Sequence, residues 1–212
     1  MTDPREQFED YIAQLFAPED DALRQANEEA HRNGMPAISV NPQDGALLQW
    51  LMRSINARTV VEIGTLAGYS GIWMARALPP GGKLYTIEKS SNHASVAQAS
   101  FERAGVADMV EIVLGAGSDV LRKLGEKGPF DMVFIDADKG GYPAYLSWAV
   151  DNLRVGGIVA AHNAYRHGRL FAPESDDDRI MKTFLESLAA HPRLHGMIIP
   201  LGDGMAVGLK HT

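Results

Sequence analysis

The chain has 212 residues with a hydrophobic fraction of 45%, enough for a sizeable buried core and ordinary for a globular protein. A net charge of −7 argues against a nucleic-acid partner, and nothing approaches the roughly 18 consecutive apolar residues of a membrane span. With no cysteine, disulfides and thiolate metal sites are excluded, so a metal would need oxygen or nitrogen ligands.

The start, Met1-Thr2-Asp3-Pro4-Arg5-Glu6, is charged and lacks the apolar core of a signal peptide, so a soluble cytoplasmic protein is expected. Phe8, Tyr11, Ile12, Leu15 and Phe16 recur at helical spacing and predict an amphipathic first helix. A second helix follows Pro18, with Glu19, Asp20 and Asp21 near its positive end. Gly34-Met35-Pro36 ends it, and a third runs from about Pro42 towards Ile55.

The remainder alternates. Val60 to Ile63, Lys83 to Ile87, Val110 to Leu114, Met132 to Ile135 and Ile158 to Ala161 read as short buried strands. Helical patterns near 70–78, 92–104, 118–125 and 143–153 separate them. Such alternation implies an α/β fold, a parallel sheet with helices on both faces. After a further helix around 177–190, Met197 to Pro200 and Met205 to Leu209 flank Leu201-Gly202-Asp203-Gly204, a hairpin signal that adds an antiparallel strand. The polar segment from Arg166 to Asp178 reads as a mobile loop, since Ser175-Asp176-Asp177-Asp178 should resist burial.

Ligands of doubly wound sheets bind beyond the carboxyl ends of the strands. The first strand runs into Glu62-Ile63-Gly64-Thr65-Leu66-Ala67-Gly68, a wide glycine turn before a helix that starts near Ser70. The G-x-G-x-x-G spacing of a dinucleotide site is absent, which disfavours an NAD-type oxidoreductase. The turn suits a nucleoside with an amino-acid tail instead. Glu88, ending the second strand, can accept both ribose hydroxyls, and Gly115-Ala116-Gly117-Ser118 is small enough to admit a flat base.

Two further strand ends carry reactive groups. Phe134-Ile135-Asp136-Ala137-Asp138-Lys139 and Ala161-His162-Asn163 could bring Asp136, His162 and Asn163 together on a metal, with Lys139 beside them as a base. Asp138 reads as a support for that motif or as a helix cap. Tyr165 and Phe171 are candidates for covering an aromatic acceptor, whereas Tyr145 and Trp148 read as packing. His167 reads as a solvated loop residue, and His191, His195 and His211 as surface positions.

In this order, Val61-Glu62-Ile63-Gly64-Thr65, Tyr69-Ser70, Ile87-Glu88, Phe134 to Lys139, Gly156-Gly157 and His162-Asn163 resemble the cation-dependent O-methyltransferases, the catechol and caffeoyl-CoA enzymes and their small bacterial relatives. The resemblance runs from about Met35 to Gly204. It implies a single Rossmann-like methyltransferase domain over 1–212, with N-terminal helices in 1–56 and a core of seven strands, mostly parallel, in 57–212. It further implies S-adenosylmethionine as methyl donor, a small aromatic hydroxyl compound as acceptor, a divalent cation (Mg²⁺ in the family) and a homodimer. By position, Val40, Glu62, Gly64, Thr65, Ser70, Glu88, Gly117 and Asp136 would hold the cofactor, and Asp136 and Lys139 would serve catalysis. Gly117 stands where many relatives have Ala, which should leave room for the base.

His162 departs from the family, whose members usually carry a ligating Asp there. Three readings stand open: ligation of a softer metal, which imidazole suits; a base or hydrogen-bond partner beside a weak or absent metal site; or loss of the metal site, in the extreme leaving a cofactor-binding protein without activity.

Overall fold

The computed structural model describes residues 4–212; Met1, Thr2 and Asp3 of the charged start lie outside them. Three helices come first: α1 (Pro4–Phe16), α2 (Asp21–Arg32) and α3 (Pro42–Ser54). Alternation follows through β1 (Thr59–Ile63), α4 (Tyr69–Ala75), β2 (Lys83–Glu88), α5 (Ser91–Arg103), β3 (Val110–Leu114), α6 (Gly117–Leu124), β4 (Phe130–Ile135), α7 (Tyr142–Asn152) and β5 (Leu153–Ala161). The chain closes with α8 (Asp176–Ala189), β6 (Leu194–Ile199) and β7 (Met205–Lys210).

The strands form one seven-stranded sheet in the order β3-β2-β1-β4-β5-β7-β6. β1 to β5 pair in parallel, while β7 lies antiparallel to both β5 and β6. The chain builds outward from β1 to β3, then returns to β4 on the other side of β1. That reversal opens a crevice at the carboxyl ends of β1 and β4.

Alternation along each strand feeds two cores. In β4, Met132 and Phe134 join Leu48, Met52, Ile72, Trp73 and Phe101 on the face covered by α3, α4 and α5. Val133 and Ile135 join Tyr142, Leu146, Phe184 and Leu188 on the face covered by α7 and α8. Burial on both faces explains why these strands read as continuous apolar runs.

Three expectations change. β5 begins at Leu153, five residues before the apolar run, because a register shift lets Leu153 pair with Phe130 ahead of the Ile158–Met132 ladder. Helix α1 forms, but Phe8, Tyr11, Leu15 and Phe16 are all more than half exposed, so most of its apolar face has no cover among the described residues. The run Ser175 to Asp178 does not simply resist burial: Asp178 is fully buried. It closes a capping box at the start of α8, accepting from the Glu174 and Ser175 N–H groups at 3.2 and 3.1 Å. It also takes Arg166 Nε at 2.9 Å and Arg169 Nε at 3.4 Å. A carboxylate with that many donors is better satisfied inside than in water.

Candidate active site

The crevice is a cavity of about 790 Å³ whose lining includes strand ends from β1, β2, β3, β4 and β5. At its narrow floor, Gly64 has a φ of +103°, and a Cβ there would lie 2.1 Å from the Asp136 carbonyl oxygen. Only glycine lets the ends of β1 and β4 come this close. The Asp136 N–H donates to the Ile63 carbonyl at 2.9 Å, continuing the ladder one residue past the end of β4.

Of the residues expected to hold a cofactor, Val40, Gly64, Thr65, Ser70, Glu88, Gly117 and Asp136 line this cavity. Glu88 is positioned by two backbone donors, Leu66 N–H on Oε2 at 3.0 Å and Ser90 N–H on Oε1 at 2.9 Å. Each oxygen keeps a further lone pair for a hydroxyl.

Glu62 does not line the cavity. It is fully buried behind Ser70, whose hydroxyl donates to Oε1, and Thr86, whose hydroxyl donates to Oε2 at 2.7 Å. Thr86 in turn meets Thr65 Oγ1 at 2.5 Å. Burial pushes the Glu62 carboxyl up to about 8, and the two hydroxyl donors offset this only in part. Its place in the fold is to hold Ser70 and Thr65 from behind.

Gly117 has a different reason from the one expected. A Cβ there would lie 2.7 Å from Tyr145 Oη, so the methyl's space is filled by a tyrosine rather than left for a ligand. Tyr145 is therefore not mere packing: it lines the cavity and donates to Asp138 Oδ1 at 2.9 Å. Trp148 does pack, against Phe130 at 5.6 Å between ring centroids. Tyr165 and Phe171 stack edge-to-face on each other beside a separate groove of about 280 Å³, so they do not line the main cavity. His167 stands at its rim, and its backbone N–H donates to Asp203 Oδ1 at 2.6 Å.

At the other end of the cavity, Asp136 is set between two cations. Lys139 Nζ lies 3.5 Å from Oδ1 and His162 Nδ1 lies 3.4 Å from Oδ2. Burial would raise the Asp136 carboxyl, but His162 and Lys139 together hold it below the usual carboxylate range. Lys139 also donates to Tyr142 Oη at 2.6 Å, and burial lowers its ammonium below the ordinary lysine value despite Asp136.

The His162 ring continues to a group that sequence reasoning missed. Its Nε2 lies 3.3 Å from Oδ2 of Asp44, a fully buried carboxylate in the first turn of α3. Burial disfavours the imidazolium, yet the two carboxylates outweigh it and raise His162 to about 9. Nothing in the sequence singles out Asp44 beyond its place at the start of the third helix, where it also serves as a cap: the Asn41 N–H reaches Oδ2 at 3.4 Å. Asp203, in the β6–β7 turn, was likewise read only as a turn residue; it accepts from Asn163 Nδ2 at 3.2 Å.

The set Asp136, His162 and Asn163 does not fit the divalent cation that the resemblance implies. Both Asp136 oxygens face nitrogen cations, and the two His162 nitrogens face carboxylates on opposite sides of the ring. Flanked by two carboxylates, the ring is favoured as an imidazolium, which has no lone pair to give. Among the described residues, no group of three or more His, Cys, Asp or Glu side chains could hold a metal ion.

Comparison with known proteins identifies the family. The chain is 41% identical to the catechol O-methyltransferase of Niastella koreensis over 96% of each chain. It is 40% identical to that of Mycobacterium tuberculosis, covering 94% of this chain and 93% of the relative. The crystal structure of the O-methyltransferase TomG of Streptomyces achromogenes, in complex with S-adenosylmethionine, superposes with a TM-score of 0.92 at 34% identity over the whole of both chains. That of the Bacillus cereus O-methyltransferase with S-adenosylhomocysteine gives 0.88 at 34%, covering 96% of this chain and 97% of the other. The sequence profile of the O-methyltransferase family matches residues 13–211, and the chain belongs to that family.

Proposed function

We propose that this O-methyltransferase moves the methyl group of S-adenosylmethionine to a hydroxyl of a small, catechol-like aromatic, with Lys139 as the base. The observation that carries this reading is one cavity lined by Glu88 and Gly117 as well as by Asp136 and Lys139. Glu88 would accept the ribose hydroxyls, Gly115 and Gly117 would flank the adenine, and Gly64, Thr65 and Ser70 would hold the methionine end under Val40. Glu62 would act through Ser70. The catechol O-methyltransferases among the relatives support the choice of acceptor.

In the reaction the acceptor oxygen attacks the methyl carbon in line with the breaking S–C bond, whose electron pair returns to sulfur and neutralises the sulfonium. Holding the partners in near-attack geometry supplies roughly 7–11 kcal/mol. The phenolic proton, with an ordinary pKa of about 10, passes to the Lys139 amine. Burial favours that amine by lowering its pKa. No step is assigned to a divalent cation. The homodimer implied by the resemblance is supported by the uncovered apolar face of α1.

The test is product analysis with S-adenosylmethionine and a panel of catechols. We expect a methyl ether and S-adenosylhomocysteine in equal amounts, and Lys139→Met should lower kcat by about 10²–10⁴-fold while leaving cofactor affinity intact. Cofactor binding without product on any catechol would reject the acceptor, and absence of cofactor binding would reject the whole reading.

A further inference from the structure

The bridge Asp44–His162–Asp136 joins three elements that are far apart in sequence: the start of α3, the end of β5 and the end of β4. Two of its three parts are enclosed, while Asp136, with 19% of its side chain exposed, opens onto the cavity. His162 is 6% exposed and Asp44 is 0% exposed. The backbone fixes the ring's origin, since the His162 N–H donates to the Ile135 carbonyl at 3.1 Å. A roof covers the far side: at Gly202, with φ +54°, a Cβ would lie 2.9 Å from Asp44 Oδ2, so the β6–β7 turn rests directly on this carboxylate.

We propose that the His162 ring is a built-in substitute for a divalent cation: it fills the space beside Asp136, is held there by Asp44, and makes methyl transfer by this chain independent of metal. The inference rests on the methyl-transfer reading above and adds to it how the site works without an ion.

Two arguments beyond the distances carry it. One is charge. Asp44 and Asp136 offer two negative groups, and His162 and Lys139 in its protonated form offer two positive ones, so the cluster is balanced before Lys139 gives up its proton to act as base. Around it, Glu62 lies behind Asp136, Arg166 and Asp177 act on Lys139 from the rim, and Asp203 is occupied by Asn163 and His167. A dication added here would meet two cations at once and could reach Asp136 only by displacing one of them.

The other is the direction of the donor groups. A ligating histidine normally turns one nitrogen to the metal and donates the other to an outer carboxylate. Here the second carboxylate is Asp136 itself, the group that would have to share the metal, and it lies 3.4 Å from the nitrogen that the metal would need, near enough for an ion pair though neither ring nitrogen makes a hydrogen bond.

His162 is then a positioning residue. Through Oδ2 it fixes the Asp136 carboxylate, whose Oδ1 faces Lys139 Nζ, and so it keeps the base at the acceptor oxygen. Its positive charge also favours the phenolate that forms there, the task a cation would otherwise perform.

The experiment needs only the wild-type protein with S-adenosylmethionine bound, and one pair of variants. Mn²⁺ binding is read by electron paramagnetic resonance, Zn²⁺ binding by competition with a chromophoric chelator, and turnover with and without chelator. We expect no stoichiometric Mn²⁺ or Zn²⁺ and a rate changed less than about two-fold by chelator or added Mg²⁺. His162→Asp should acquire Mn²⁺ binding and a chelator-sensitive rate, by at least about ten-fold. Asp44→Asn should loosen the ring, lowering kcat with KM for the cofactor unchanged, without creating a metal requirement. One equivalent of either metal on the wild type, or loss of turnover with chelator, overturns the proposal even if His162→Asp fails to fold. Because the metal titrations do not depend on turnover, failure to methylate any catechol would sink the acceptor reading without touching this one.

Discussion

Lys139, the proposed base, sits at the meeting point of two opposing influences, and if it takes the acceptor proton its protonation state sets the rate. Burial destabilises the ammonium while Asp136 stabilises it, with burial the stronger. A base must carry a lone pair, so the active form is the one present above the folded-state pKa, which lies below the ordinary 10.5. We therefore expect kcat/KM on a catechol to rise with pH and level off before the usual lysine range. A profile that is flat across neutral and alkaline pH, or one that Lys139→Met leaves in place, would remove Lys139 from this role. At this scale the sequence was readable where one residue has one task. Glu88 and Gly64 stand where the motif puts them, and Asp136 does too. It was opaque where a residue has two. Asp44 is both a cap and an ion-pair partner, and the local cap explains its presence so fully that nothing in the sequence asks for more. Tyr145 hides in the same way, because its ring packs in the core while its hydroxyl reaches the cavity wall.

Among the elements, the segment between β5 and α8 shows how a polar stretch can be pinned. Asn163, Arg166 and His167 all adopt left-handed backbone conformations, at φ +63°, +55° and +52°. Such residues carry local strain, which persists only where the surroundings hold them. Asp178 supplies one hold through Arg166 and Arg169, and Asp203 supplies another through Asn163 and His167. The Asp178 carboxyl is held well below the usual carboxylate range by Ser175, Arg166, the Glu174 N–H and Arg169, against a burial effect that would raise it. Its contribution is therefore complete above the ordinary value of 3.8 and disappears as pH falls through the lowered folded-state value. Asp178→Asn should lower the melting temperature by several degrees at neutral pH, with the gap to wild type closing in strong acid. An equal gap at all pH values would mean that the ion pairs are not what holds this segment. The same element level exposes where hydropathy misleads. Arg154-Val155-Gly156-Gly157 interrupts the apolar pattern of β5, yet Arg154 belongs to the sheet because Asp131 accepts its Nε at 2.6 Å. A partner that far along the chain is invisible to a window scan.

For the whole molecule, the sheet and its helices were legible almost throughout, since period-two burial on both faces leaves apolar runs that no other fold class explains as simply. The exception is α1. Its spacing predicts a helix with an apolar face, and the structure supplies the helix but little to cover it, with Phe8 61% and Phe16 71% exposed. A periodic pattern reports that a face is buried somewhere, not in which chain. If the homodimer covers it, sedimentation or light scattering should give twice the chain mass, and Phe8→Ser combined with Phe16→Ser should shift the population towards monomer. A wild type that is monomeric at all concentrations would leave α1 without that explanation.

The turn that roofs Asp44 belongs to the last hairpin, and its strand β7 lies inside the sheet between β5 and β6. The surroundings of His162 are thus stitched from segments far apart in the chain, with Asn41 and Asp44 on one side and Gly202 and Asp203 on the other. Contacts so remote in sequence form late in folding, because their loops must close before they reward it. A chain ending before Met205 should lack both the roof over Asp44 and the strand that joins β5 to β6, so the end of the crevice around His162 is the last part to be completed.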